Sequence, residues 1–279
     1  MGESTWSGSS PGGEDPAQLR ELAEQAAVTT GDLVHGFRPR LGERHVLGAD
    51  TTSPGRAAIA IRAGVQQVRE VLRRHHRSDV VAGPRDRPSG HSGQPWLWLV
   101  DGIDATANYT LGDDQLYCVA VAVQHNGHVV AGAIYQPAMR TVWSAALGQG
   151  STWRGPHGHS ERLAVTTTSD LRSVLVAVSE PDGAERPPSD RHTVLLTHTA
   201  GIRAFGSPAL ALCRVAAGQH GVYVADDITP ASLAAGGILA TEAGACLDRS
   251  SPAASLLVGS PRLVAALRAV LERPTAASA

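Results

Sequence analysis

Apolar positions along the chain follow first a helical and then an extended rhythm. Between Ala17 and Thr30, the residues Leu19, Leu22, Ala26 and Ala27 share one helical face. In "GRAAIAIRAGVQQVREVLRRHHR", residues 55–77, the side chains of Ile61, Val65, Val68 and Leu72 recur at helical spacing and predict a second helix. Its "RRHHR" end reads as a solvated cationic face suited to a helix C-terminus. The segment between them, rich in Gly, Arg and His, reads as a loop, and residues 78–95 as a short apolar piece followed by breakers. From Trp96 the rhythm changes. "LYCVAVAVQ", "HVVAGAIYQ", "RTVWSAAL" and "STWR" are short β-rich runs parted by turn signals such as "HNG" and "QP". In the second half, strands are expected at "LRSVLVAVS", "GVYVAD" and "AASLLVGS", and helices over 208–217 and 231–243. "PRLVAALRAVLE" closes the series as a helix with Pro in its first turn.

This order, helices, then antiparallel strands, then alternating strands and helices, predicts an α/β (α+β) protein with sheets covered by helical layers. The reading divides the chain into a disordered leader over 1–15, an N-terminal α+β lobe over 16–180 and a C-terminal α/β lobe over 181–279, with the Pro-rich stretch 180–191 at the boundary.

Composition narrows the function classes. A net charge of -2 gives no reason to expect nucleic acid or an anionic membrane as partner. All 24 basic residues are arginine, which removes lysine Schiff-base and P-loop chemistry. Cys118, Cys213 and Cys246 lie far apart in apolar surroundings, as free thiols of a cytoplasmic protein do. The 12 histidines form no HExxH pattern, so a histidine metal centre is not expected. No apolar stretch approaches the length of a membrane span, and "MGESTWSGSSPGGEDP" lacks the n- and h-regions of a signal peptide.

The chemistry concentrates in "WLWLVDGIDATANYT", residues 96–110, where an apolar run leads into Asp101 and Asp104. Carboxylates at a strand end, with a helix start just beyond, suit a hard divalent cation and a phosphate: Mg²⁺ takes oxygen ligands, and free helical amides face an anion. A helix cap at Asp104 and a turn bond at Asp101 account for the same spacing.

The stretch from Trp96 to Gly155 resembles the inositol monophosphatase family, which reads W-[IV]-[IV]-D-P-[IL]-D-G-T-x-N-[FY] followed by a hairpin and a G-x-G-[AS] turn. "FGSPALALCRVAAGQHGVYVADDITPASLAAGGILATEAGACLD" is similar to the family's C-terminal motif region, and the likeness spans roughly residues 17–272. The resemblance implies a layered αβαβα sandwich, Mg²⁺-dependent hydrolysis of phosphate monoesters, and a homodimer acting on a small anionic or phosphorylated metabolite. It implies that Asp101 bridges metal ions, that Asp104 and the Ile103 carbonyl are further ligands, and that Thr106 orients the attacking water. The amides of Ala105 and Thr106 would hold the phosphate, and Asp50 would hydrogen-bond the threonine.

The chain also departs from the pattern. The family's G-E-E glutamates are replaced by Pro84 and Arg85, its W-D pair by Ala231 and Ser232, and a glycine by Ala105. Two of four acidic ligand positions remain, and Arg85 adds a cation that opposes metal binding through Coulomb repulsion. Asp86, Asp226 and Asp227 are candidate substitutes. Arg85 is read either as an anion-binding fork beside the helix start or as a solvated loop charge. Three functions are therefore expected to compete: a phosphatase with a weakened Mg²⁺ site, for a sugar, inositol or nucleotide phosphate; a metal-poor enzyme of specialised metabolism using Asp101 and Asp104 for acid–base chemistry; and a non-catalytic ligand-binding relative.

Overall fold

The computed structural model describes residues 11–38, 53–84, 86, 96–113, 115–179, 190–251, 254 and 256–272. Helix α1 spans Pro16–Gly36: Asp15 accepts a 2.9 Å bond from the Ala17 amide, and Pro16 occupies the first turn, where no amide is needed. Its buried stripe runs Leu19, Leu22, Ala23, Ala26, Ala27 and Val34. The helix continues past Thr30, where a loop was expected, because Val34 is buried and Gly31 lets the helix lie against the Tyr135 ring. A Cβ at Gly31 would stand 2.3 Å from Tyr135 Cδ1. Helix α2 spans Ser53–Arg74 and packs beside α1.

The strand block forms one sheet of seven strands in sequence order. They are β1 (Val80–Ala82), β2 (Trp96–Asp104), β3 (Cys118–His125), β4 (His128–Gln136), β5 (Thr141–Ala146), β6 (Gly150–Arg154) and β7 (Ser160–Arg162), with a short helix α3 (Thr106–Leu111) after β2. Only the β1–β2 pair is parallel. The β3–β4 hairpin turns on Asn126 and Gly127, both at positive φ, as the "HNG" signal predicts.

A second, mixed sheet contains β8 (Leu175–Val178), β9 (Gly201–Ala204), β10 (Val222–Ala225), β11 (Cys246–Asp248) and β12 (Leu256–Gly259), in the order β11-β12-β10-β8-β9. Helices α4 (Asp190–His198), α5 (Pro208–Ala216), α6 (Pro230–Glu242) and α7 (Pro261–Leu271) complete the chain.

Four apolar clusters define the layers. One joins α1 and α2 to a face of the first sheet, and a second joins the other face to α5 and α6. A third joins α5 and α6 to the second sheet, whose far face is covered by α4 and α7. The result is the αβαβα sandwich that the resemblance implies. The middle layer comes from the C-terminal half of the chain yet is shared by both sheets, and β8, which precedes residue 180, belongs to the second sheet. Residues 11–15, assigned to the leader by composition, are built into the fold: Asp15 caps α1, and Glu14 pairs with the half-buried Arg77. No helix of the described residues is long and apolar enough to cross a membrane.

Candidate active site

β2 is buried along nearly its whole length and ends in both aspartates, which are 4% and 3% exposed. Side chains three apart on a regular strand point to opposite faces. Here they do not, because the β2–β3 register shifts: Asp101 faces Ala120 and Asp104 faces Cys118, so three steps on β2 pass two on β3. Ala105 then turns the chain in the left-handed region (φ 71°, ψ 60°) and starts α3. Gly102 lies against the α2 backbone, where a Cβ would be 3.3 Å from the Ile61 carbonyl.

Both carboxylates line one cavity of about 460 Å³, together with Ile103, Ala105, Thr106, Ser207 and Thr229. Asp101 accepts from the Ile103 amide at 3.1 Å and from the Thr229 hydroxyl at 3.4 Å. The expected turn bond at Asp101 is therefore present, but Asp104 does not cap α3, whose N-cap is Ala105. Asp104 instead reaches across to the middle helical layer. Its Oδ2 accepts from the Ser207 hydroxyl, from the Ala209 amide at 3.0 Å and from the Cys118 thiol at 3.7 Å, and its Oδ1 from the Ser232 hydroxyl at 2.9 Å. Ser207 and Thr229 are the N-caps of α5 and α6, so two helix starts converge on the aspartate pair.

Burial dominates the electrostatics. It raises the Asp101 carboxyl to about 7, with the nearby Asp104 charge adding to the effect. Burial also raises Asp104, opposed by the hydrogen bonds from Ser207, Ser232, the Ala209 amide and Cys118. The Cys118 thiol is pushed up by its own burial and by Asp104, so it stays protonated. Among the described residues neither aspartate meets a cationic side chain.

Thr106 lines the cavity, and its hydroxyl donates to the Ile103 carbonyl at 3.3 Å. Asn108 fastens α3 to the segment before α5, donating to the Leu116 and Phe205 carbonyls at 2.7 Å each. Pro84 lines the cavity and Ala231 is buried. Asp50 and Arg85 lie outside the described residues. Of the candidate substitutes, Asp86 accepts from the Gly83 amide and is not part of the cavity wall, whereas Asp226 and Asp227 are. Asp226 is held by the Arg191 guanidinium through two contacts of 2.6 Å. The side chains that bond the pair are the hydroxyls of Ser207, Thr229 and Ser232 and the Cys118 thiol, and no group of three or more His, Cys, Asp or Glu converges as a metal centre among the described residues.

Sequence reasoning missed Ser207, Thr229 and Tyr223 as cavity neighbours and Cys118 as a partner of Asp104. "GSPA" and "ITPA" carry the Ser/Thr-Pro signal of capped helix starts. Nothing local shows that those caps also serve Asp104.

The fold and site define a five-layered α/β protein with an acidic pocket where a strand end meets three helix starts. The chain belongs to the inositol monophosphatase family, whose model matches residues 16–278. It is 29% identical over 280 residues to an inositol-1-monophosphatase of Mycobacterium bovis, covering 93% of this chain and 95% of the relative. It is 26% identical to the Nus factor SuhB of Pseudomonas aeruginosa, over 81% and 83% of the two chains. Among solved structures, Mycobacterium tuberculosis SuhB superposes with a TM-score of 0.77 at 27% identity, covering 93% and 97%.

Proposed function

We propose that the chain is a cytoplasmic phosphomonoesterase for a small phosphorylated metabolite, working with one Mg²⁺ rather than the family's fuller metal set. The observation that carries this reading is the buried Asp101–Asp104 pair, desolvated, mutually repelling and unmatched by any described cation. A hard divalent ion held by carboxylate and carbonyl oxygens offsets that cost. Asp101, which keeps unbonded lone pairs, and the Ile103 carbonyl would hold it. Asp104 contributes one oxygen at most, because Ser207, Ser232, Cys118 and the Ala209 amide already occupy it.

Bound there, Mg²⁺ supplies charge neutralisation for the phosphoryl group and acidifies a water. The chain's own residues do the rest. Ala105 and Thr106, which line the cavity at the start of α3, would hold phosphate oxygens through their backbone amides. Thr106 places its hydroxyl beside the Ile103 carbonyl and would position the attacking water, with Asp50 as its support. Arg85 follows Pro84 of the cavity wall and would bind the phosphate as a bidentate fork.

A second reading, acid–base chemistry without metal, is favoured by the raised Asp101 carboxyl. The two separate cleanly. Phosphate release from a panel of monoesters should require Mg²⁺ and drop at least about 100-fold in Asp101→Asn and Asp104→Asn. If calorimetry finds no Mg²⁺ binding and release stays at background, the phosphatase reading is lost.

A further inference from the structure

Three chain segments meet at one side-chain amide. Asn108, within α3, donates both hydrogens of its Nδ2, one to the Leu116 carbonyl and one to the Phe205 carbonyl, at 2.7 Å each. Each acceptor stands two residues before a group that bonds Asp104. Leu116 leads into Cys118, whose thiol donates to Oδ2 at 3.7 Å, and Phe205 leads into Ser207, whose hydroxyl donates to the same oxygen. Cys118 Sγ and Ser207 Oγ are themselves 3.7 Å apart. Gly206, between Phe205 and Ser207, has a φ of 65°, and a Cβ there would stand 3.0 Å from Asn108 Nδ2. A glycine is therefore what lets this segment close onto the amide.

A helix of six residues has too few internal bonds to hold its own direction. Contacts outside α3 do so. Tyr109 bonds the Val34 carbonyl at 2.8 Å and ties the helix to α1, while Asn108 ties it to the segments that enter β3 and α5. We propose that Asn108 is a positioning residue: its amide holds the start of α3, the Cys118 thiol and the Ser207 hydroxyl in one arrangement around Asp104. The catalytic consequence rests on the phosphomonoesterase reading; the clamp itself does not.

The test uses the full chain. Asn108→Ala removes the amide, and Asn108→Leu removes both donors while keeping nearly the same volume. Amide hydrogen exchange is followed by NMR at Ala209, which bonds Asp104, and at Leu210, which bonds the Ser207 hydroxyl. Both variants should speed exchange at these amides and along α3 by about tenfold or more, with the β4–β5 pair unchanged. Thr110→Val, which removes only the bond to the Thr106 carbonyl inside α3, should speed exchange in α3 alone. With Mg²⁺ and a monoester that the wild type hydrolyses, kcat per folded molecule should fall about 10- to 100-fold in both Asn108 variants, with KM within about threefold. Unchanged exchange at Ala209 and Leu210 in either Asn108 variant, an equal rise there in Thr110→Val, or a kcat that follows the folded fraction alone overturns the inference. Faster exchange in a chain whose wild type releases no phosphate supports the clamp and removes only the hydrolytic reading.

Discussion

Ser232 donates a 2.9 Å hydrogen bond to Asp104, tying the first turn of α6 to the end of β2. Thr229, the α6 N-cap, lies 2.8 Å from the same serine hydroxyl and bonds Asp101 as well. The resemblance read from the sequence would put a carboxylate at this position; the neutral Ser232 hydroxyl satisfies Asp104, where a carboxylate would repel it. Ser232→Asp tests this substitution. A third buried carboxylate should lower the Tm of chelated protein by several degrees, and should enlarge the Mg²⁺-induced rise in Tm, with Mg²⁺ affinity up about tenfold. Thermal melts and calorimetric titrations of both proteins check it; a variant that binds Mg²⁺ no better would show that residue 232 does not face the cation.

Asp101 makes stability fall with rising pH in the absence of metal. Its carboxyl titrates at about 7 in the fold, above the ordinary carboxylate value. The folded state therefore holds a proton that the unfolded state has lost, and the associated stability is complete below pH 4 and drains away as pH rises through 7. His220 acts in the opposite direction, since burial and the charge of Arg214 hold it down at about 4 and its contribution is lost on acidification. Both proteins in a comparison of wild type with Asp101→Asn carry His220, so the difference isolates Asp101. In EDTA, wild-type Tm minus variant Tm should drop by several degrees between pH 5 and pH 8. Added Mg²⁺ should recover that loss at pH 8, because the cation takes the ionised carboxylate.

Ala105 spends free energy on its backbone. A β-carbon at φ 71° crowds the following carbonyl, at a cost of about 1–2 kcal/mol. Ala105→Gly should stabilise the protein by about 1 kcal/mol, less than the full strain because glycine loses more entropy on folding. Denaturant unfolding of the two proteins measures this directly.

Gly236 sets the distance between α5 and α6. A Cβ there would lie 2.5 Å from Leu212 Cδ1 and 2.8 Å from its Cβ, inside the shared middle layer. Gly236→Ala should destabilise by roughly 1–3 kcal/mol as the helices part. Since α5 carries Ser207 and α6 carries Ser232, phosphate release should fall more than the loss of folded protein accounts for. Activity corrected for folded fraction, compared with wild type, decides the point.

Much of the architecture was legible from side-chain period alone. The second helix, the β3–β4 hairpin with its Asn-Gly turn, and helices α5 to α7 lie close to where the apolar spacing and proline starts put them. Elements held by tertiary partners were not. The end of α1 depends on Tyr135 receiving Gly31, and β9 and β11 are four- and three-residue edge strands too short to show a period. Helix α4 starts inside the stretch read as a charged loop, where Leu195 is buried against the second sheet.

The same division holds at the site. "WLWLVDGID" by itself specified a buried strand ending in two carboxylates, because nine residues of that composition lose most by staying in water. It could not specify that both carboxylates share a cavity, since an unbroken strand sends residues three apart to opposite faces. That outcome came from the register shift against β3, the left-handed turn at Ala105, and the arrival of Ser207, Thr229 and Ser232 from more than 100 residues away in sequence. Local sequence sets which groups seek burial and which period they follow. Which polar group answers a buried charge depends on distances that exist only once the layers have packed.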